Sequence, residues 1–268
     1  MIRLVGILNI TPDSFSDGGK FMAQGAAFLR AEEMLDDGVH VLDIGGDSTR
    51  PGSVCVSAVE EWRRIGGVVS LLSAHVPVSV DTHIALTARL ALQNGAVMIN
   101  DVSAGQDPEM FEVLSKFSAK IVLMHSCCPQ PHVFPSDCPA GDIVARARDF
   151  LAERMESAVR AGIAKDNIIL DPGSGAFISR DPKVCRQLLE HFTEFEGLGC
   201  PLMLGVSRKS FLKEAGEKDI KERDSISAAV AVQVIERLAL KKPLYLRVHN
   251  VKLHIQTLEK AGLPLDSH

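Results

Sequence analysis

Apolar and polar positions along this chain follow two alternating rhythms. Short runs rich in valine, isoleucine and leucine occur at Leu4–Asn9, Val39–Ile44, Val76–Asp81, Val97–Asp101, Lys120–Met124, Ile168–Asp171, Leu202–Val206 and Tyr245–Val248. Most are apolar nearly throughout, as expected of parallel strands covered on both faces. Between them lie longer stretches with helical spacing: Ala26–Asp37, Val59–Ser73, Ile84–Asn94, Pro108–Lys116, Asp142–Ala161, Pro182–Phe195 and Ser225–Leu240. A last helix should follow Asn250. Asp107-Pro108 and Asp181-Pro182 each read as an Asp N-cap with proline in the first turn, and Gly38, Gly95 and Gly162 fall where helix C-caps belong.

Eight strands and eight principal helices in strict alternation, with no linker to split them, predict a single (β/α)8 TIM barrel over residues 1–268, with long loops at its C-terminal rim. A length of 268 residues suits that fold. The competing architecture is a doubly wound open sheet. It normally announces a nucleotide-binding loop after the first strand, and Asn9–Gly19 (NITPDSFSDGG) is no such loop. That stretch is polar and turn-forming, yet it carries Phe15, a ring with no obvious core to join.

Composition narrows the partners. Apolar residues make up 46% and charged ones 24%, and the net charge of −5 comes without a basic stripe, which argues against a nucleic-acid partner. No apolar run reaches membrane length and no signal-peptide pattern precedes Arg3, so a cytoplasmic protein without a membrane partner is expected. The six cysteines, Cys55, Cys127, Cys128, Cys138, Cys185 and Cys200, form no paired C-x-x-C arrangement and are expected to be free thiols. The run HSCCPQPH, with Cys138 beyond it, tempts a zinc reading, but vicinal Cys127 and Cys128 do not suit tetrahedral ligation by the usual spacings.

The chemistry sits at the strand ends. Asn9, Asp43 with Asp47, Asp81, Asn100 with Asp101, His125, Asp171, Ser207, and Arg247 with His249 each close a predicted strand. In a barrel that end forms the active-site rim, so these groups should converge. Any one of them could merely cap a loop, but turns rarely need arginine, histidine and several carboxylates at one rim. Glycine-rich loops at Gly45–Gly52, Asp171–Gly175 and Gly205–Ser210 would let backbone approach a ligand closely. VSRKS should open a short helix with Lys209 near its positive end, for which a generic anion site is the plainer reading.

In this order across nearly the whole chain, NITPDSFSDGG, DIGGDSTRPGS, SVDT, INDVSAG, LDPGSG, GVSRKSF and RVHNV resemble the dihydropteroate synthases. The resemblance implies a transferase of folate biosynthesis and a sulfonamide target. In this reaction 4-aminobenzoate displaces pyrophosphate from 6-hydroxymethyl-7,8-dihydropterin pyrophosphate. It implies pterin contacts from Asp81, Asn100, Met124, Asp171, Gly205 and Lys209, and a pyrophosphate grip from Asn9, Arg247 and His249. Mg²⁺ would sit on Asn9, Asp81 would stabilise a pterin methylene cation, and Asp81, Lys209 and Asn9 would carry the catalysis. The 4-aminobenzoate pocket would use Phe15 as a lid residue, Thr49, Arg50, Pro51, Phe177 and Ser210. The residue types suit these roles. A carboxylate accepts two donors from an aminopyrimidinone edge, Asn100 offers both donor and acceptor, and arginine suits a phosphate.

Three features depart from the family pattern. Ala176-Phe177-Ile178 stands where many relatives have Phe-Gly-Lys, the loop His125–Gly141 is long and rich in Cys and Pro, and Asn250 replaces a frequent Asp. Two other readings share the pterin contacts: a pterin-binding methyltransferase barrel and a non-catalytic pterin-binding protein. Neither needs the first loop together with an Arg-x-His pyrophosphate grip. The segment Ile226–Leu240 is apolar around most of its circumference, which predicts a homodimer through that helix.

Overall fold

Eight parallel strands close into a barrel, each hydrogen-bonded to the next and the last to the first. They are β1 (Ile2–Asn9), β2 (Val41–Gly45), β3 (Val78–Asp81), β4 (Met98–Asp101), β5 (Lys120–Met124), β6 (Ile168–Asp171), β7 (Leu202–Leu204) and β8 (Leu244–Val248). The helices that follow them are α1 (Gly19–Asp36), α2 (Ala58–Leu72), α3 (Ala85–Gln93), α4 (Met110–Ser115), α5 (Ile143–Arg160), α6 (Pro182–Glu190), α7 (Ile220–Ile235) and α8 (Val251–Lys260). The computed structural model describes residues 1–10, 19–48, 52–128, 130–134, 143–212 and 219–267, with 19–24 described by backbone alone.

Strand periodicity sorts the side chains into two sets. One set, including Leu4, Leu42, Val80, Ile99, Ile121, Leu170, Leu204 and Leu246, packs outward in the main core shared with the helices. The other points into the barrel, where Val5, Val41, Met98, Val122, Ile169, Met203 and Tyr245 form a separate buried cluster. Two residues further along the same strands come Ile7, Asp43, Asn100, Met124, Asp171, Gly205 and Arg247, and a period of two makes these face inward as well. An apolar plug therefore carries a polar layer directly above it.

Several local expectations need correction. Helix α1 begins at Gly19, well before Ala26. Helix α4 begins at Met110, and the Asp107 carboxylate accepts from the Ala85 N–H (2.9 Å) and the Glu109 N–H (3.0 Å), so it caps the start of α3 from another loop. After α6 the chain tightens into a 3₁₀ turn, Phe192–Leu198, that ends at Gly199 with φ +74°. Helix α7 is shifted towards the N-terminus relative to Ser225–Leu240, because Asp219 caps it by accepting from the Lys221 N–H at 3.2 Å. Cys127 is disulfide-bonded, where free thiols were expected throughout, whereas Cys55, Cys128, Cys185 and Cys200 are free. Asp181 does cap α6 with Pro182 in its first turn.

Candidate active site

The polar layer is organised around Arg247. Its Nε donates to Asp43 Oδ2 (2.6 Å) and its Nη2 to Asp81 Oδ2 (2.8 Å). Asn100 Nδ2 donates to the same Asp43 oxygen at 3.0 Å. Asp43, 0% exposed, thus ties strand β4 to strand β8 through one atom. The other oxygens, Asp43 Oδ1 and Asp81 Oδ1, are buried and have no hydrogen-bond partner among the described residues. Burial drives the Asp81 carboxyl upward in pKa, with Arg247 opposing and Asp43 adding to the rise. A water-poor site that holds unspent acceptors is suited to a donor-rich or cationic ligand.

Asp171 faces this cluster from β6. Its Oδ1 accepts from the Gly173 N–H at 2.8 Å, and burial pushes its carboxyl up to about 6 while the Lys209 and Arg247 charges oppose the rise. The D-P-G turn has a steric reason. Gly173 has φ +79°, and a side chain there would collide with the His125 carbonyl oxygen. At the end of the neighbouring strand, Gly205 leaves open the space beside Asp171 Oδ2, from which a Cβ would lie 3.8 Å away.

Lys209 is delivered by a strained loop. Arg208 has φ +57°, unusual for a residue other than glycine. Its guanidinium makes a bidentate pair with Asp224 on α7 (2.6 and 2.8 Å), and its N–H donates to Ser227 Oγ at 2.9 Å. Asn250 donates to the same Asp224 (3.3 Å) while its own oxygen caps α8 through the Leu253 N–H (3.1 Å). The Asn250 departure therefore keeps a cap and gains a link to the Lys209 loop. Lys209 Nζ lies 5.2 Å from the centre of the half-buried Phe177 ring. Phe177 and Met124 line one depression with Val102, Ser126 and Phe150. Ser210 is exposed and opens a single 3₁₀ turn, Ser210–Leu212.

At the rim, Asn9 ends β1 opposite Gly45, and a Cβ on Gly45 would sit 3.3 Å from Asn9 Oδ1 and 3.6 Å from Asp81 Cβ. Glycine keeps that approach to both side chains open. His249 Nδ1 lies 2.9 Å from Ser207 Oγ, which also accepts the His249 backbone N–H at 3.1 Å.

Three strand-end groups do not join the cluster. Asp101 accepts from Ser103 Oγ, the Ser103 N–H and the Gly105 N–H, so it shapes its own loop, and burial pushes it up to about 6. His125 packs edge-on against Phe150 with Nδ1 3.2 Å from the Pro172 carbonyl oxygen, and burial lowers it to about 4. Asp47 turns away towards His132. Phe15, Thr49, Arg50 and Pro51 lie outside the described residues. The family motifs assign Asp43 no pterin or pyrophosphate contact, yet it joins Arg247 to Asn100. Its signal was available in the period of two that puts it on the same face as Arg247.

The comparisons agree with this geometry. The family profile described as "Pterin binding enzyme" matches residues 5–249. The dihydropteroate synthase of Staphylococcus haemolyticus is 41% identical over 258 residues, covering 95% of this chain and 91% of that protein. A structure of the Xanthomonas albilineans dihydropteroate synthase with 4-aminobenzoic acid superposes with a TM-score of 0.86 at 38% identity, covering 97% of this chain and 92% of that one. The same enzyme in complex with 7,8-dihydropteroate superposes with a TM-score of 0.82 at 34% identity, with the same coverage of both chains. A profile match over most of the chain, together with relatives of this identity along its length, is decisive: the chain belongs to the dihydropteroate synthase family of pterin-binding enzymes.

Proposed function

We propose that the polar layer of the barrel is the catalytic centre for this family's reaction, in which 4-aminobenzoate displaces pyrophosphate from 6-hydroxymethyl-7,8-dihydropterin pyrophosphate to give 7,8-dihydropteroate. The observation that carries this reading is the Asp43–Arg247–Asp81 network with two unspent buried acceptors, set across the barrel from Asp171. Asp171 accepts two donors of the aminopyrimidinone edge, and its high pKa in the free protein falls as those donors arrive. Asn100, Met124 and the open space at Gly205 take the rest of the ring, with Lys209 donating to its acceptors.

The C–O bond to pyrophosphate breaks first, leaving a methylene cation delocalised into the dihydropterin. Asp81 stands where its charge offsets that cation. The aniline nitrogen, already neutral near pH 7, then forms the new C–N bond and loses a proton to water. Arg247 still has Nη1 without an acceptor among the described residues, and with Asn9 and His249 it grips the leaving group. The space at Gly45 beside the Asn9 amide oxygen fits a hard cation, so Asn9 would hold Mg²⁺, which neutralises pyrophosphate when bound.

Phe177 and Ser210 bound the 4-aminobenzoate side, together with Phe15 as lid residue, Thr49, Arg50 and Pro51. The chain works as one domain and as a cytoplasmic homodimer on small molecules, a reading supported by the sequence and the family likeness. The test is release of pyrophosphate from the pterin substrate with 4-aminobenzoate and Mg²⁺. Release that needs all three, and is lost in Asp81→Asn, is the expected result. Binding of pterin without any turnover would overturn the reading.

A further inference from the structure

Among the rim loops, one cluster of side chains is given no role in the reaction proposed above. Cys55 follows β2, His83 follows β3 and His132 lies beyond β5. One ligand-type atom of each falls within 4.8 Å of the others. The ring centroids of His83 and His132 are 5.6 Å apart in an edge-on arrangement. Asp47, 6% exposed, points into the same place, with Oδ2 3.1 Å from His132 Nε2.

The hydrogen bonding there is incomplete. Among the described residues, His83 Nδ1, His132 Nε2 and Asp47 Oδ2 are all buried without a hydrogen-bond partner, and the 3.1 Å approach of the last two does not meet hydrogen-bond geometry. The environment of His132 suggests why. Ser53 Oγ donates to the Ser48 carbonyl oxygen and lies 2.8 Å from His132 Nδ1. With its own proton committed, Ser53 accepts from Nδ1–H. That tautomer leaves a lone pair on Nε2, facing a carboxylate oxygen. Two acceptors then face each other at 3.1 Å, a contact that only a proton or a cation can reconcile.

A metal ion resolves this conflict. A ligating histidine donates its other ring N–H to an outer acceptor that fixes its tautomer, and Ser53 Oγ takes that place for His132. His132 also has φ +69°, a strained backbone held by the Gly52 N–H donating to its carbonyl oxygen at 2.7 Å. We propose that Cys55, His83 and His132, with Asp47 completing the set, form a tetrahedral site for a zinc-class divalent ion. The site clips together the loops that follow β2, β3 and β5.

Ligand bonds of about 2.0–2.3 Å in a tetrahedron place neighbouring ligand atoms roughly 3.3–3.8 Å apart. The Cys55, His83 and His132 atoms, all within 4.8 Å of one another, need a contraction of up to about 1 Å, and Asp47 approaches from the His132 side. The donor set of one thiolate, two imidazoles and one carboxylate carries two negative charges and neutralises the ion. A thiol must shed its proton to ligate, so binding should release a proton. The cysteines of the HSCCPQPH run are not ligands in this arrangement, although its second histidine, His132, is.

The test uses the full chain, stripped of metal with a chelator, dialysed, and titrated with Zn²⁺ against a chelating indicator and with Co²⁺ by absorption. The expected result is one tight Zn²⁺ per chain and a thiolate-to-cobalt charge-transfer band. Cys55→Ser should abolish the band. Ser53→Ala should weaken Zn²⁺ by roughly 10–100-fold through the loss of His132 orientation, and Cys128→Ser should change nothing. Circular dichroism checks the fold of each variant, and His83→Gln replaces Cys55→Ser if the latter does not fold. No charge-transfer band in the parent protein, or equal Zn²⁺ affinity in the parent, Cys55→Ser and His132→Gln, would overturn the site. Because the readouts are binding and spectra, they stand or fall independently of turnover.

Discussion

Replacing Asp43 by Asn probes the network at the atom that joins its parts. Asp43 Oδ2 accepts from both Arg247 Nε and Asn100 Nδ2. An amide oxygen can still accept both bonds, but without charge. Each then falls from a charge-assisted bond of about 1.5–3 kcal/mol to a neutral one of about 1 kcal/mol. The new NH₂ takes the place of Oδ1, which is buried without a partner among the described residues, and an unpaired buried donor costs about 1–3 kcal/mol of fold stability. The catalytic consequence runs through Asp81. With one carboxylate gone, Arg247 leans its whole charge on Asp81 and offsets the negative charge that meets the pterin cation. A loss of about 2 kcal/mol of transition-state stabilisation corresponds to a roughly 30-fold fall in kcat. Steady-state pyrophosphate release at saturating substrates measures kcat, and urea unfolding of the same variant checks the fold. A kcat within twofold of the parent, in a folded variant, would refute the argument and reduce Asp43 to a packing residue.

Four further outcomes are expected. Pterin affinity by calorimetry should rise as pH climbs through about 6, where Asp171 ionises, and level off above it; Asp171→Asn should bind weakly at every pH and abolish the dependence, and an unchanged profile would count against Asp171 as the pterin acceptor. Burial pushes Glu61 up to about 7, so the stability it contributes is full below about pH 4.5 and is lost as pH rises through 7. Glu61→Gln should therefore unfold at higher urea than the parent at pH 8, with the gap closing near pH 5; a gap that does not vary with pH would refute this. Asp224→Asn should free the Arg208 loop and raise the KM for the pterin substrate about tenfold or more, given a bidentate charged pair lost at a strained residue, and Arg208→Met should do the same; an unchanged KM in both would disconnect that loop from Lys209. Light scattering at micromolar concentration should give a dimer mass through the outer face of α7, around Ile226, Ala229 and Val230, and a monomer mass would dismiss that interface.

Much of the architecture was legible in the chain before folding. Apolar runs of strand length, alternating with helical spacing, state the number and order of the barrel elements, because each depends on neighbours a few residues away. The same local logic places Asp181 as the cap of α6 and glycine at the ends of α1, α3 and α5, where φ is +89° at Gly38, +97° at Gly95 and +98° at Gly162. The loop motifs carry the family likeness, since their glycines and acids are dictated by turns as tight as the one at Gly173. Other features depend on contacts that close only in the folded barrel. Asp43 and Asp47 sit four residues apart in one motif, yet one meets Arg247, some 200 residues away, and the other meets His132. Asp107 reads as the cap of its own helix, yet its second oxygen caps α3 from across the loops. Asp224 looks like one more helix charge until Arg208 and Asn250 arrive from two other segments. Cys55, His83 and His132 are scattered over 78 positions and become neighbours only because parallel strands deliver successive loops to one rim. Local periodicity decides what each segment becomes, while the ring closure of the barrel decides which charge meets which.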